Sequence, residues 1–255
     1  MYAVVTGASS GIGKEIAFLL AKRGYNLILA ARREKRLQTL KEKIEKTYQV
    51  HVITICADLA KEEDCINVFQ QSREYPVRIL VNAAGFGKVG NYTQVPMKEE
   101  LAMIDTNIRA VHILTKLFAN HMKRGRILNV ASIAAFQPGP YFATYSATKS
   151  YVLQLSLALN YEMIRLHKDI RVLTLCPGPV NTEFNAVAGT DFAMPAISAK
   201  KCAKIAVDGI FKNKAVILPG FSVKCARLAA KFAPYFLILP VEYYIQTKKL
   251  GNVKK

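Results

Sequence analysis

The segment that most limits how this chain can fold is Thr6-Gly7-Ala8-Ser9-Ser10-Gly11-Ile12-Gly13, which follows the apolar run Tyr2-Ala3-Val4-Val5 without a break. After it, Ile16, Ala17, Leu19 and Leu20 keep helical spacing as far as Gly24. The order is therefore strand, glycine-rich turn, helix. Glycine lets a backbone turn tightly and approach a pyrophosphate, and the N-terminus of the helix adds N–H groups and positive dipole. Gly7, Ser9, Ser10, Gly11, Ile12 and Gly13 are the candidates for that contact. Their spacing, Gly-x3-Gly-x-Gly, differs from the commoner Gly-x-Gly-x2-Gly of dinucleotide folds.

The same alternation runs down the chain. Leu27–Ala30 reads as a second strand ending at Ala31-Arg32-Arg33, before a helix with Leu37, Leu40 and Ile44 as its buried stripe. His51–Ala57 is a third strand, with Asp58 and Leu59 at its end, and Ile79–Val81 a fourth, running into Asn82-Ala83-Ala84-Gly85. Leu101–Met122 reads as one long helix carrying a polar Asn107 among Ile104, Ile108, Val111 and Leu114. Arg126–Val130 and Arg171–Cys176 are further strands, the latter leading into Pro177-Gly178-Pro179-Val180-Asn181-Thr182, and Ala215–Leu218 is a seventh. Strands alternating with helices imply an α/β fold with a Rossmann-like, doubly wound parallel sheet. The expected organisation is one domain over residues 1–219 and an apolar, basic, helical extension over 220–255 packed on it.

Two groups of residues carry chemistry. Ser132 lies just past the fifth strand, in the crevice where open α/β sheets bind ligands. Tyr145 and Lys149, four apart on a helix continuing to about Leu166, share one face about one turn apart along the axis. Ionising a free phenol at pH 7 costs roughly 4 kcal/mol, and an ammonium ~4 Å away returns about as much at an effective dielectric of ~20. Lys149 is thus expected to make Tyr145 a proton donor and acceptor near neutrality. The second group is Arg32 and Arg33. They stand at a helix N-terminus, where the dipole disfavours cations, and Ala31 offers no acceptor to a ribose hydroxyl. A 2'-phosphate supplies a reason for both arginines, so NADP is expected over NAD.

Composition narrows the function. The formal charge is +18, yet no helix-turn-helix, zinc-finger or RNA-binding signature accompanies it, so no nucleic-acid partner is expected. The five cysteines are scattered, without a Cys-x2-Cys pair, which points to reduced thiols and no metal site. Met1 precedes a strand rather than a basic and apolar leader, so a cytoplasmic protein is expected. From Lys200 to Lys255 there are 12 Lys and Arg against 2 Asp and Glu. The apolar run Phe232–Val241 holds Pro234 and Pro240 and is far shorter than the ~20 residues that span a bilayer. With Phe221, Leu228, Tyr235, Phe236 and Leu237 nearby, this region reads as a lid over an apolar substrate, a peripheral membrane contact or a packing surface.

With these residues in place, the chain resembles the short-chain dehydrogenase/reductase family from Val4 to about Leu218. The resemblance rests on TGASSGIG, NAAG at Asn82–Gly85, Ser132 followed by YSATK, and PGPVNT at Pro177–Thr182. It implies that Ser132 binds the substrate oxygen, Tyr145 exchanges the proton, and Lys149 binds the nicotinamide ribose. It also implies that Asn107 holds a water for proton relay, that Thr182 meets the carboxamide, with Pro177, Gly178 and Val180 beside it, and that Asp58 and Leu59 flank the adenine. Asn82, Ala83 and Gly85 would support the cofactor site. A homodimer or homotetramer is a further family expectation. The activity implied is NADP-dependent interconversion of a ketone and a secondary alcohol, NAD being the alternative cofactor. The apolar residues Phe184, Val187, Phe192 and Met194 between Glu183 and Pro195 favour a steroid-like or 3-oxoacyl-like substrate. The competing classes are a non-catalytic NADPH-binding regulator and a membrane-surface scaffold. The first would show a damaged Ser, Tyr or Lys, and none is damaged.

Overall fold

The computed structural model describes residues 1–189 and 196–251. Phe192 and Met194, expected in the substrate loop, lie outside the described residues. β1 (Tyr2–Thr6) turns through the glycines into α1 (Gly11–Ala21). There follow β2 (Asn26–Ala31), α2 (Glu34–Tyr48), β3 (Val52–Cys56), α3 (Glu62–Ser72) and β4 (Val77–Asn82). Next come α4 (Met97–Ile104), α5 (Ala110–His121), β5 (Arg124–Val130), α6 (Ala143–Arg165) and β6 (Asp169–Leu175). The chain continues with β7 (Val180–Asn181), α7 (Phe184–Ala188), β8 (Ile197–Ser198), α8 (Ala199–Phe211), β9 (Val216–Ile217), α9 (Phe221–Phe232) and α10 (Tyr235–Gly251).

Seven strands form one parallel sheet in the order β3-β2-β1-β4-β5-β6-β9, while β7 and β8 pair separately. The strand order reverses between β1 and β4, and the crevice beyond their carboxyl ends is where such sheets take a ligand. Helices on both faces explain why the strands are apolar at successive positions. Val5, Leu29, Val81, Leu128 and Leu173 pack on Ile16 and Leu20 of α1, Leu37 of α2 and Val207 of α8. Val4, Ile28, Leu80, Ile127 and Val172 pack on Val68 of α3, Leu114 and Phe118 of α5 and Met163 of α6.

One element differs from the sequence expectation. The helix expected as Leu101–Met122 starts earlier, at Met97, and is interrupted by a five-residue π-turn, Asp105–Arg109, between α4 and α5. In the tail, α10 carries Pro240 inside it. Pro234, with no N–H to give, stands before α10 and so costs the helix nothing. Among the described residues no helix is long and apolar enough to cross a membrane.

Candidate active site

The crevice encloses a cavity of about 600 Å³ with the glycine-rich turn along one side. Gly7 and Gly11 have φ of +64° and +55°, the left-handed region that glycine tolerates. A Cβ on Gly7 would sit 2.7 Å from Ala84 N, and one on Gly13 would sit 2.6 Å from Gly7 O. These glycines therefore let β1, α1 and the Ala83–Gly85 backbone close together. Thr6 Oγ1 fixes that approach, accepting from Ala83 N at 3.1 Å and Ala84 N at 3.3 Å. Ser10 is the N-cap of α1 but makes no side-chain cap; its hydroxyl accepts instead from Arg33 Nη2 at 2.8 Å, and that of Ser9 accepts from the same nitrogen at 3.0 Å. Without a side-chain cap, the first turn of α1 presents its N–H groups and dipole to an anion in the cavity.

Ile12, Arg32, Arg33, Asp58, Leu59, Ala83 and Gly85 line the same space, and Pro177, Gly178, Val180 and Thr182 close it from the opposite side. These residues fit a nicotinamide dinucleotide: a cradle that side chains would fill, an uncapped helix N-terminus for the pyrophosphate, and guanidinium groups at one end. Asn82 does not belong to this wall. Its Nδ2 donates to Asn129 Oδ1 at 2.8 Å and to Thr115 Oγ1 at 3.2 Å, and Asn129 Nδ2 donates in turn to Ser156 Oγ at 3.0 Å. This buried strap ties β4 and β5 to α5 and α6, so Asn82 holds the sheet beneath the site rather than a ligand.

At the other end, β5 delivers Ser132, whose Oγ accepts from Ala134 N at 3.2 Å, capping the short 3-10 turn Ile133–Phe136, and whose hydroxyl also hydrogen-bonds the Tyr145 phenol. Tyr145 and Lys149, both buried, line the cavity from α6. The Tyr145 ring stacks on Phe142 at 4.2 Å between centroids, and the Phe184 ring lies 5.5 Å away. Burial pushes the phenol up to about 12, against the opposing pull of the Ser132 hydrogen bond. Burial also lowers Lys149 to about 8. Lys149 Nζ donates to Val130 O at 2.9 Å and stands 5.7 Å from the centre of the Tyr145 ring. In the chain alone burial is the largest influence on the phenol, and Tyr145 stays protonated at neutral pH.

Asn107 sits in the π-turn, fully buried behind the cavity wall. Its Oδ1 accepts from Phe86 N at 3.1 Å, and its Nδ2 donates to Phe86 O at 2.9 Å and Thr148 Oγ1 at 3.1 Å. A Cβ on Gly85 would lie 2.8 Å from Asn107 Oδ1 and 3.2 Å from Lys149 Nζ, so a side chain there would crowd both.

Sequence reasoning missed part of the wall. Phe184 and Val187 line the cavity as expected of the substrate loop, but Phe142, Val223 and Ala226 of α9 and Ile245 of α10 stand beside them without having been anticipated. Gln137 donates to Glu242, tying α10 to the loop after Ser132. Also missed was a crossing of the cavity mouth: Arg33 Nη1 meets Glu183 Oε2 at 2.6 Å and Arg36 Nη1 meets Glu183 Oε1 at 2.5 Å. Hydrogen bonds from Arg33 and Arg36 hold the Glu183 carboxyl down at about 2. The alternation of Ser222, Val223 and Ala226 with cations was the available signal for the α9 wall; nothing in the sequence signalled Glu183.

A reversal crevice lined by this glycine-rich turn, with Ser132, Tyr145 and Lys149 on one cavity, defines a short-chain dehydrogenase. The chain belongs to that family, residues 1–193 matching short chain dehydrogenase. It is 34% identical over 194 residues to 17-beta-hydroxysteroid dehydrogenase type 3 of Rattus norvegicus, covering 74% of this chain and 63% of the relative. It is 37% identical over 171 residues to the very-long-chain 3-oxoacyl-CoA reductase of Pyrenophora tritici-repentis, covering 64% of this chain and 50% of that protein. The chain thus spans between half and two thirds of the length of these two relatives. A solved short-chain dehydrogenase from Sphingobium yanoikuyae in complex with NADPH superposes with a TM-score of 0.82 at 30% identity, covering 93% of this chain and 94% of the other.

Proposed function

We propose that this chain is an NADP-dependent oxidoreductase interconverting a ketone and a secondary alcohol on an apolar, steroid-like or 3-oxoacyl-like substrate. The observation that carries the reading is one cavity with two chemistries: a glycine-rich, arginine-flanked half and an apolar half into which Ser132 and Tyr145 face. The relatives named as hydroxysteroid dehydrogenase and 3-oxoacyl-CoA reductase support the substrate class, and the NADPH complex of the structural neighbour supports the cofactor.

The cofactor, when bound, supplies or accepts the hydride at the substrate carbon. Ser132 orients the substrate oxygen. Tyr145, protonated at neutral pH because burial holds it at about 12, gives its phenolic proton to that oxygen during reduction. The tyrosinate left behind is stabilised by the Ser132 hydroxyl and by Lys149, which is charged below about pH 8. In the oxidative direction Tyr145 must first lose its proton, so alcohol oxidation is expected to rise with pH more steeply than ketone reduction falls.

The test is a screen of NADPH and NADH oxidation with steroid, long-chain 3-oxoacyl and small aromatic ketones. Tyr145→Phe should lower turnover by roughly 10²-fold or more, the scale of a lost general acid, while retaining NADPH binding. Near wild-type turnover by that variant would remove Tyr145 from the mechanism.

For residues 220–255 the reading is a two-sided extension that closes the substrate half of the cavity and rests on an anionic membrane surface, which places the protein at the cytoplasmic face of a membrane. The support is an exposed apolar stripe on α9 and α10 with cations beside it on α9. Self-association is proposed on the exposed Leu101 and Ile104 of α4 and Ile164 of α6, and sedimentation velocity would measure it.

A further inference from the structure

Glu183 follows Thr182 directly, at the cavity mouth, and is 150 residues from Arg33 in sequence. Its two oxygens each take one guanidinium, and the remaining nitrogens of Arg33 reach the hydroxyls of Ser9 and Ser10 at 2.8 to 3.2 Å. Two guanidiniums therefore converge on a single carboxylate, and the hydroxyls of Ser9 and Ser10 hold Arg33 in place at the junction of the glycine-rich turn with the start of α2. A carboxylate brings one charge and two oxygens. A phosphate monoester brings about −1.5 to −2 charges and three oxygens, and matches guanidinium forks at least as well. Glu183 itself needs no such cage, since its side chain is 49% exposed and water serves it equally.

We propose that Glu183 determines dinucleotide specificity as an internal stand-in for phosphate. In the unliganded protein its carboxylate occupies Arg33 and Arg36. The 2'-phosphate of NADP displaces it, whereas a dinucleotide with a 2'-hydroxyl has no group that competes for the arginines and leaves the bridge in place. Arg36, which the cavity does not include, thereby becomes a further cationic partner of the phosphate beside Arg32 and Arg33. This rests on the reading that the cavity holds a nicotinamide dinucleotide and adds which residues set its preference.

The ion pairs are half exposed, so displacement is cheap and the effect modest. The experiment is calorimetric titration of the full chain and of Glu183→Gln with NADPH, NADH, 2'-AMP and 5'-AMP, at two salt concentrations. Removing the competing charge should tighten NADPH and 2'-AMP about three- to thirtyfold, the range for two exposed pairs, and leave NADH and 5'-AMP within about twofold. The gain should disappear in Glu183→Gln combined with Arg33→Ala. If Glu183→Gln weakens NADPH, the carboxylate is a clasp over the bound cofactor and the proposal is wrong; unchanged ratios overturn it as well. A wild-type chain that binds neither NADPH nor NADH would instead sink the dinucleotide reading, and this inference with it.

Discussion

Lys149 is a cation that the fold keeps from water, and its Nζ donates to Val130 O. Its value in the folded chain, about 8, lies below the 10.5 of an unburied lysine. Between those two pH values the unfolded chain binds more protons than the native one, so this residue makes stability rise with pH across the window. Below about pH 8 the penalty of a buried charge is fully present; above 10.5 it is gone. A displacement of this size corresponds to something on the order of 3 kcal/mol. Replacing Lys149 by Met removes the titration. In the absence of cofactor, the stability of wild type relative to Lys149→Met should therefore increase by about that amount from pH 7 to 10.5. Tyr145 and Cys176, both pushed up to about 12 by burial, hold protons in both proteins and largely cancel in the difference. Urea unfolding at four pH values reads it, and a flat difference would mean that Lys149 is solvated in the folded chain.

Between the elements, the π-turn Asp105–Arg109 deserves its place because of what it positions. An extra residue in the helical ladder rotates α5 relative to α4 and aims Asn107 at the Phe86 backbone, in keeping with the frequency of such bulges at functional sites. Asn107→Leu would leave both Phe86 backbone groups without this partner and should cost about 1–3 kcal/mol, read as a fall in the denaturation midpoint. The glycine-rich turn, the parallel strands and the Tyr145 helix were legible in the sequence because glycine tolerance and apolar periodicity are local properties. The π-turn was not legible, because Ile104, Ile108, Val111 and Leu114 keep helical spacing whether or not one turn is widened. Asn82 was legible only as a support of the site, because an asparagine at a strand end looks identical whether it faces a ligand or a buried Asn–Thr–Ser strap. The bridge from Glu183 to Arg33 and Arg36 joins segments far apart in the chain, and charged residues in turns read as solvated until folding brings them together.

At the scale of the whole molecule, the unsolved surface is the one made by α9 and α10. On α9, Phe221, Cys225, Leu228 and Phe232 follow helical spacing and form one stripe, with Lys224, Arg227 and Lys231 in a second stripe beside it. Phe221 is 80% exposed and Phe232 73%, and on α10 Phe236 is 72% exposed with Leu237, Val241 and Tyr244 near it. The inward residues Val223 and Ile238 are buried, and Ala226 and Ile245 line the cavity. A helix with an inner wall, an outer apolar stripe and a cationic flank has the pattern of an interfacial segment. Each cation close to an anionic lipid plane contributes about 1 kcal/mol, screened over a Debye length of ~8 Å at physiological salt. The aromatic stripe adds burial that salt does not weaken. Vesicle sedimentation should therefore show binding to phosphatidylserine-containing membranes that declines but persists as salt rises, with weaker binding to neutral ones. Phe232→Asp with Phe236→Asp should abolish the persistent part while leaving NADPH binding unchanged, because neither residue lines the cavity. Absence of binding to either vesicle by the wild type would remove the membrane, and concentration-dependent sedimentation in solution would then assign the same apolar face to a second copy of the chain.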